Sequence, residues 1–424
     1  MNYRFATLDK EKRMSAVLKV VGIGGGGCNA IESMIKRGLT GVEYVAVNTD
    51  AQVLTSSSAQ HKVQVGSTIT RGLGAGADPN VGKKSMEEDR EKIAEILAGS
   101  DMVFVTSGMG GGTGTGGAPV VASIAKSIGA LVVGIVTKPF LWEGKMRMIN
   151  AEKGIQELRQ YVDSLIVIPN SRLLSIIEKN TNAFAAFDKP NEVLYEATRG
   201  IADIITIEGL INVDFADVRS VMNQGGEALM GCGIASGENR AIEAAQKAIS
   251  SPLLEGVNIK GAKHVLLNIT GSSNLTLNEI DEGNNIIFEA AGEEANVIFG
   301  CVRKEEMNDY VSYTVIATGF DNGHQNGNKK TVAYEPVQKP TNIGGGYSLW
   351  DKDNVDQENL DVPTYFRVNR PNASLNSNDE QAEPPRSGFK FDSSRYNFGK
   401  AKSEQDLPQA EDDETSSFLR KIMD

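Results

Sequence analysis

The sequence predicts an α/β protein: a parallel-sheet domain, a long central helix, a smaller α+β second domain and a disordered C-terminal tail. Three observations predict it. Short runs rich in Val, Ile and Phe alternate with helical stretches up to about residue 170. Glycine-rich turns stand where strand gives way to helix. Beyond Gly319 apolar residues become isolated among Asn, Gln, Gly, Pro, Ser and Lys. Alternating strand and helix imply a parallel sheet covered on both faces.

The element boundaries follow from periodicity and punctuation. Strands are expected at Ala16–Gly22, Glu43–Asn48, Met102–Ser107, Leu131–Val136 and Ser164–Ile168, each ended by Gly, Asn, Ser or Pro. Helices are expected between them at Asn29–Arg37, Gly82–Leu97, Val120–Ile128 and Asn150–Tyr161. A long helix follows from Glu192 to about Leu210. The second domain carries later strands at Ala228–Ile234, His264–Ile269, Asn296–Cys301 and Val311–Ala317. The predicted layout is an N-terminal extension (1–15), a ligand-binding domain (16–191), the central helix (192–210), the α+β domain (211–319), a disordered linker (320–412) and a terminal peptide (413–424). The linker composition buries too little apolar surface to offset its ordering entropy. The last residues, Ser416 to Asp424, are again apolar with basic residues interleaved, a pattern suited to a partner-binding peptide on a tether.

Composition narrows the function classes. The chain has 424 residues and a net charge of −12, which argues against a nucleic-acid binder. The tail from Asp321 holds 18 acidic and 13 basic residues, so most of the acidity belongs to the rest of the chain. No apolar run is long enough to span a membrane, and the start lacks the apolar core of a secretory signal. Three cysteines without paired spacing, Cys28, Cys232 and Cys301, fit a reducing cytoplasm. His61, His264 and His324 are scattered, so no fixed protein metal site is expected.

An acidic protein can still grip phosphate through backbone N–H groups at a helix start. Val20-Val-Gly-Ile-Gly-Gly-Gly-Gly-Cys-Asn-Ala30 supplies such a turn, with Gly22, Gly24 and Gly27 matching G-x-G-x-x-G. Asp50 ends the next strand, where a Rossmann-type fold keeps its ribose-binding carboxylate. This turn alone makes a nicotinamide-dependent oxidoreductase the obvious alternative; a structural turn packed closely by glycine is the bland one. A second turn shifts the balance. Gly108 to Gly117 holds seven glycines and two threonines, Thr113 and Thr115, whose hydroxyls can add donors to the amide array. A dinucleotide has one pyrophosphate and needs one loop; two loops on adjacent strands suggest a polyphosphate gripped from both sides. A third loop, Arg71-Gly-Leu-Gly-Ala-Gly-Ala77, is a weak signal by itself. No Walker-type loop is present: Gly76 to Gly82-Lys83 is one residue too long, and Lys84 stands where Ser or Thr is required.

With these motifs in order, the chain resembles the tubulin superfamily, and within it the FtsZ family of bacterial cell-division GTPases. The residues that carry the resemblance are Gly108-Met-Gly-Gly-Gly-Thr-Gly-Thr-Gly116, Asn48-Thr-Asp50, Gly72-Leu-Gly-Ala-Gly76, Thr137-Lys-Pro-Phe140 and Asn212-Val-Asp-Phe-Ala-Asp-Val-Arg219, over roughly residues 16–318. The resemblance implies GTP and GDP as ligands, with Mg2+ carried by the nucleotide. It implies phosphate contacts from Gly25, Gly26, Gly27, Asn29, Gly112, Thr113 and Gly114, and it puts Cys28, Ala75, Gly76, Thr115 and Gly116 in the wider nucleotide-binding set. Asn48, Pro139, Glu143 and Arg147 belong to the same implied nucleotide set. Asn170, Phe187, Asn191 and Glu192 are implied at base and sugar, with Phe187 stacking on the guanine.

Asn212, Asp214 and Asp217 are the implied catalytic residues. Read from the residues, Asp214 and Asp217 can position Mg2+ or orient a water near a γ-phosphate, or simply cap a helix and place an acid in its first turn. In the family this segment enters the nucleotide site of a neighbouring subunit, which implies a head-to-tail homopolymer, hydrolysis across the interface and a division ring at mid-cell in the cytoplasm. The terminal peptide is implied to bind division proteins and a membrane tether, although Phe418-Leu-Arg-Lys421 matches the family peptide only in part. Cys28 stands where glycine is frequent and Glu192 where Asp is frequent. A thiol at a helix N-terminus could also have catalytic character, but no histidine shares its motif. A third reading keeps the fold without turnover, as a nucleotide-binding regulator.

Overall fold

The computed structural model describes residues 16–320 apart from 176, 178–180, 224 and 255–258. The predicted N-terminal extension, linker and terminal peptide therefore lie outside the described residues. Ten strands are assigned: β1 Leu18–Ile23, β2 Glu43–Asn48, β3 His61–Gln64, β4 Met102–Gly108, β5 Leu131–Lys138, β6 Ser164–Pro169, β7 Gly226–Ser236, β8 His264–Gly271, β9 Asn296–Arg303 and β10 Tyr310–Thr318. The helices of the first half are α1 Gly24–Lys36, α2 Ala51–Ser56, α3 Ser67–Thr70, α4 Pro79–Glu88, α5 Arg90–Leu97, α6 Thr113–Ser127 and α7 Lys145–Leu158. Those of the second are α8 Asn170–Leu173, α9 Ala183–Thr206, α10 Phe215–Met222, α11 Arg240–Ile249 and α12 Leu277–Ala291.

The strands pair in the order β3-β2-β1-β4-β5-β6-β7-β10-β8-β9. From β3 to β6 every pairing is parallel. The order reverses between β1 and β4, which makes their boundary the switch point where doubly wound sheets bind ligands. β7 pairs with β6 in parallel over three residues and then runs antiparallel to β10. β10 is antiparallel to β8, and β8 is parallel to β9.

The core strands are buried on both faces. Val20, Phe104 and Val133 belong to one apolar layer with α1 and α9, and Val21, Val105 and Val132 to the other with α4, α5, α6 and α7. The first layer continues through Ile201 and Ile204 of α9 to Met230, Leu266 and Ile316 of the later strands. α9 thus packs on both parts of the sheet. A separate cluster fills the second part, where Ala241, Ala244, Ala245 and Ala248 of α11 face Val311, Tyr313 and Val315. These alanines lie close to β7, because a side chain at Gly231 or Gly233 would strike the carbonyls of Ala248 or Ala244 at 2.0 Å.

Several boundaries differ from the sequence reading for identifiable reasons. The helix expected over Gly82–Leu97 is two helices, broken at Asp89, a buried residue whose carboxylate accepts from Gly66 N at 2.8 Å. The central helix runs over Ala183–Thr206 instead of Glu192–Leu210. It passes through Pro190, which reads as a breaker in sequence, and Asn182 caps its start by accepting from Ala185 N. Its end is set by docking: Leu210 N donates to Cys301 O at 2.8 Å, and a side chain at Gly209 would meet that carbonyl at 2.1 Å. β3 was not expected, being a four-residue edge strand with only Val63 buried.

Candidate nucleotide cleft

Four strands end at one cleft. β1 ends at Ile23 and α1 opens at once with Gly24, Gly25 and Gly26 on the cleft wall. β4 ends at Gly108, and Gly108, Met109, Gly111 and Gly114 form the facing wall. β5 continues into Pro139, Phe140 and the turn holding Glu143; β6 continues into Asn170. The start of α9 closes the cleft with Phe187, Pro190, Asn191 and Leu194. These four occur at i, i+3, i+4 and i+7, one face of a helix. The cleft is open, and the space in it and at its mouth, open solvent included, is about 760 Å³.

The glycines of the two turns are required by close approach. A Cβ on Gly24 would lie 2.8 Å from Gly114 N, and Gly24 itself sits at φ +70°. A Cβ on Gly26 would lie 3.1 Å from Gly108 N and Cα. The two turns therefore touch backbone to backbone, and side chains there would fill the cradle. The helices begin inside the glycine runs, at Gly24 and Thr113, not after them as expected. Glycine is a poor helix former, but here tertiary contact overrides propensity. The amides at both helix starts are thereby available to an anion.

Of the residues expected at the nucleotide, the cleft brings together Gly25, Gly26, Asn29, Gly114, Pro139, Glu143, Arg147, Asn170, Phe187 and Asn191. The others are placed behind or beside its lining. Gly27 lies where α1 crosses the sheet: a side chain there would meet Thr106 O at 2.6 Å. Cys28 is buried in the apolar layer with its Sγ 3.8 Å from Gly22 O, so neither a ligand contact nor a catalytic thiol is placed there. Asn48 is fully buried at the end of β2, its Oδ1 accepting from Asp50 N.

Thr113 and Thr115 are also buried, and their hydroxyls do not face the cleft as free donors. Thr113 Oγ1 lies 2.6 Å from Thr49 Oγ1, and Thr115 Oγ1 accepts from Gly110 N at 2.7 Å. They brace the second turn from behind. Gly112 packs under Ala75 and Asp78, and a side chain at Gly116 would strike Pro79 O at 1.9 Å. Gly76 stands in a loop with φ +59° and no neighbour within 4 Å of its Cβ position. Glu192 turns away from the cleft to pair with Lys189 at 2.8 Å.

The sequence reading missed Gly24, Gly108, Met109, Gly111, Thr137, Phe140, Pro190 and Leu194 as lining residues. Most were inside the quoted motifs. Pro190 and Leu194 were not, and the helical spacing from Phe187 was the signal that could have found them.

The cleft's polar groups suit a nucleotide. Asn170 is buried on the lining, and its Oδ1 is a buried acceptor with no hydrogen-bond partner, the kind of group a donor on a ligand would satisfy. Glu143 Oε2 accepts from Arg147 at 3.1 Å, while Oε1 accepts from Phe140 N at 2.7 Å. That arrangement leaves a charged pair on the wall and locks the Phe140–Glu143 turn. Asp50 is committed elsewhere: its Oδ1 caps α2 by accepting from Gln52 N at 2.8 Å and Val53 N at 3.4 Å. The ribose carboxylate of the oxidoreductase reading is thereby engaged in holding a helix. Among the described residues, no group of three or more His, Cys, Asp or Glu is placed to hold a metal ion.

Asn212, Asp214 and Asp217 stand outside the cleft. Asp214 is the N-cap of α10, its Oδ1 accepting from Asp217 N at 2.8 Å. Asn212 Oδ1 accepts from Gly209 N at 2.7 Å. All three are exposed. The helix they introduce is anchored to the amino ends of the parallel strands: Arg219 donates to Gly129 O just before β5, and Ser164 at the start of β6 donates to Met222 O at 2.7 Å. Glycine turns and carboxylates thus sit at opposite ends of a sheet whose eight-residue strand β5 alone spans about 25 Å.

Comparison with known proteins agrees with this geometry. Residues 17–178 match the model of the Tubulin/FtsZ family GTPase domain, and residues 226–321 match that of the FtsZ family C-terminal domain. The chain is similar to an FtsZ solved as an empty dimer from M. jannaschii, at 45% identity and TM-score 0.70, over 73% of this chain and 89% of that one. It is similar to a GDP-bound CetZ1 monomer from Haloferax volcanii at 25% identity and TM-score 0.63, over 72% and 95% of the two chains. A GTPγS-bound CetZ2 protofilament from the same organism shares the fold at 21% identity and TM-score 0.63, over 72% and 94%. With both domain models matched in order and a solved relative at this identity, the chain belongs to the FtsZ family of tubulin-like GTPases.

Proposed function

We propose that this chain binds GTP in the cleft and hydrolyses it only when a second copy docks head to tail, forming filaments that build the division ring of a bacterial cell. The observation that carries this reading is the separation of the two chemistries within one molecule. The glycine turns lie at the carboxyl ends of β1 and β4, and Asp214 and Asp217 lie at the opposite end of the sheet. A heterologous contact that stacks one end on the other completes the site and repeats without closing.

In this reading the amides of Gly25, Gly26 and Gly114 hold the phosphates, Glu143 and Arg147 flank phosphate and ribose, and Asn170, Phe187 and Asn191 hold the base. A Mg2+ carried by the nucleotide would supply neutralisation of charge on its phosphates. Asp214 and Asp217 of the next copy orient a water towards the γ-phosphorus; the bond to the β–γ bridging oxygen breaks, leaving GDP and phosphate. The capping bond from Asp217 N fixes the Asp214 carboxylate in direction, which serves positioning as well as helix stability. Exposed apolar side chains support a covered face at each end: Leu73, Leu141, Trp142 and Met146 at the cleft end, and Leu210 beside the acidic turn. Among the described residues no helix is long and apolar enough to cross a membrane. A cytoplasmic filament therefore needs a tether, the role proposed for residues 413–424 with division proteins as partners.

The test is phosphate release per subunit as the protein is diluted. Activity falls steeply below the concentration at which GTP, but not GDP, raises light scattering. Constant specific activity on dilution contradicts the shared site, and absence of GTP binding removes the whole reading.

A further inference from the structure

Phe140, Trp142 and Phe187 form a three-ring cluster at the base end of the cleft. Phe140 and Trp142 stack nearly parallel, with centroids 5.3 Å apart and an interplanar angle of 14°. Phe187 stands perpendicular to both, at 5.9 Å and 83° to Phe140 and at 5.6 Å and 89° to Trp142. Two perpendicular contacts to a parallel pair restrict rotation of the Phe187 ring, as edge-to-face geometry favours.

The pair that does this is itself fixed. Phe140 is buried, and the turn Leu141–Glu143 is closed by Glu143 N donating to Phe140 O at 3.1 Å and Phe140 N donating to Glu143 Oε1 at 2.7 Å. Trp142 lies outside the cleft lining and is 64% exposed, so its contact with the cleft runs through the Phe140 and Phe187 rings.

We infer that Trp142 is a positioning residue for nucleobase recognition: with Phe140 it holds the Phe187 ring at the angle that stacks on a purine. This rests on the cleft being the nucleotide site proposed above. Trp142 acts through Phe187 and not on the phosphates, so it selects for a ligand that carries a base. The same contact makes Trp142 a reporter, because a purine on Phe187 alters the surroundings of an indole 5.6 Å away.

The chain has two tryptophans, Trp142 and Trp350, so Trp350→Phe isolates the signal. In that full-length background, at concentrations too low for self-association, GDP changes Trp142 emission and inorganic tripolyphosphate leaves it unchanged. In otherwise unaltered protein, Trp142→Ala weakens GDP binding by about threefold to tenfold, the range of one aromatic pair, and Trp142→Phe restores it to within about twofold. Tripolyphosphate affinity stays the same in all three proteins. Unchanged GDP affinity in Trp142→Ala, or equal weakening towards GDP and tripolyphosphate, overturns the assignment while leaving the nucleotide site standing. If the unaltered protein binds no GDP, both fall together.

Discussion

The two ends of the parallel sheet are built from opposite materials. At the carboxyl ends of β1 and β4 the chain presents main chain: glycines packed so closely that a Cβ on Gly24 would meet Gly114 N at 2.8 Å. At the amino ends of β5 and β6 it presents side chains, the exposed carboxylates Asp214 and Asp217 on a helix tied to Gly129 O and Ser164. Amides attract phosphate, and carboxylates repel it but can orient water. Placing both at one end would set negative charge against the ligand. In the proposed reading, placing them at opposite ends lets each molecule bind the ligand and leaves turnover to the contact between molecules.

The comparison is broken most directly at the acidic end. Asp214→Ala is expected to lower GTP hydrolysis by roughly 10²-fold or more while GTP affinity, measured on the monomer, stays within twofold. Retained hydrolysis would remove the acid end from the reaction. At the other end, Gly116→Ala puts a methyl group where Pro79 O stands 1.9 Å away, a backbone atom that cannot step aside cheaply. That variant should lose about 1–3 kcal/mol of stability and bind GDP poorly; a wild-type melting curve with wild-type GDP affinity would contradict the close packing.

The rod between the ends is α9, and its anchorage offers a smaller effect. Asp203 is buried and accepts from Arg199 Nε at 3.1 Å and from Lys304 Nζ at 2.6 Å, which ties α9 to the residue after β9. Two turns earlier, burial raises the Glu196 carboxyl above the usual range, with Arg199 opposing it in part. Lys304→Met should cost about 1–3 kcal/mol in chemical denaturation, since it leaves a buried carboxylate with fewer partners. It should not touch monomer nucleotide affinity. The smallest effect is expected at Cys28. If this side chain sits in the apolar layer as its 3% exposure indicates, Cys28→Ala leaves GDP affinity within twofold and lowers stability modestly. A large loss of GDP binding would return the thiol to the cleft.

Much of this was readable before any coordinates. Apart from β3, the strands of the first half fall within two residues of their expected limits, because Val- and Ile-rich runs bounded by Gly, Asn and Pro leave little choice. The helices were harder. The sequence pattern gives no helix at α11 or α12 and starts α1 and α6 late, since glycine and threonine speak against a helix until the opposing turn is in view. Asp214 illustrates the limit best: capping residue and water-orienting acid were equally open readings, and the structure gives it the capping bond while also setting it at the exposed end of the sheet.

The amino-acid sequence by itself determined the alternation of strand and helix, the two phosphate-type turns and the family motifs, since each is a local pattern of side-chain size and backbone freedom. Only the tertiary structure decided which glycines line the cleft and which pack on backbone, and that Thr113 and Thr115 brace a turn instead of lining it. It also decided that the cleft and the acids point in opposite directions. Those are distances between residues far apart in the chain, set by how sheets and helices pack, and no local pattern encodes them.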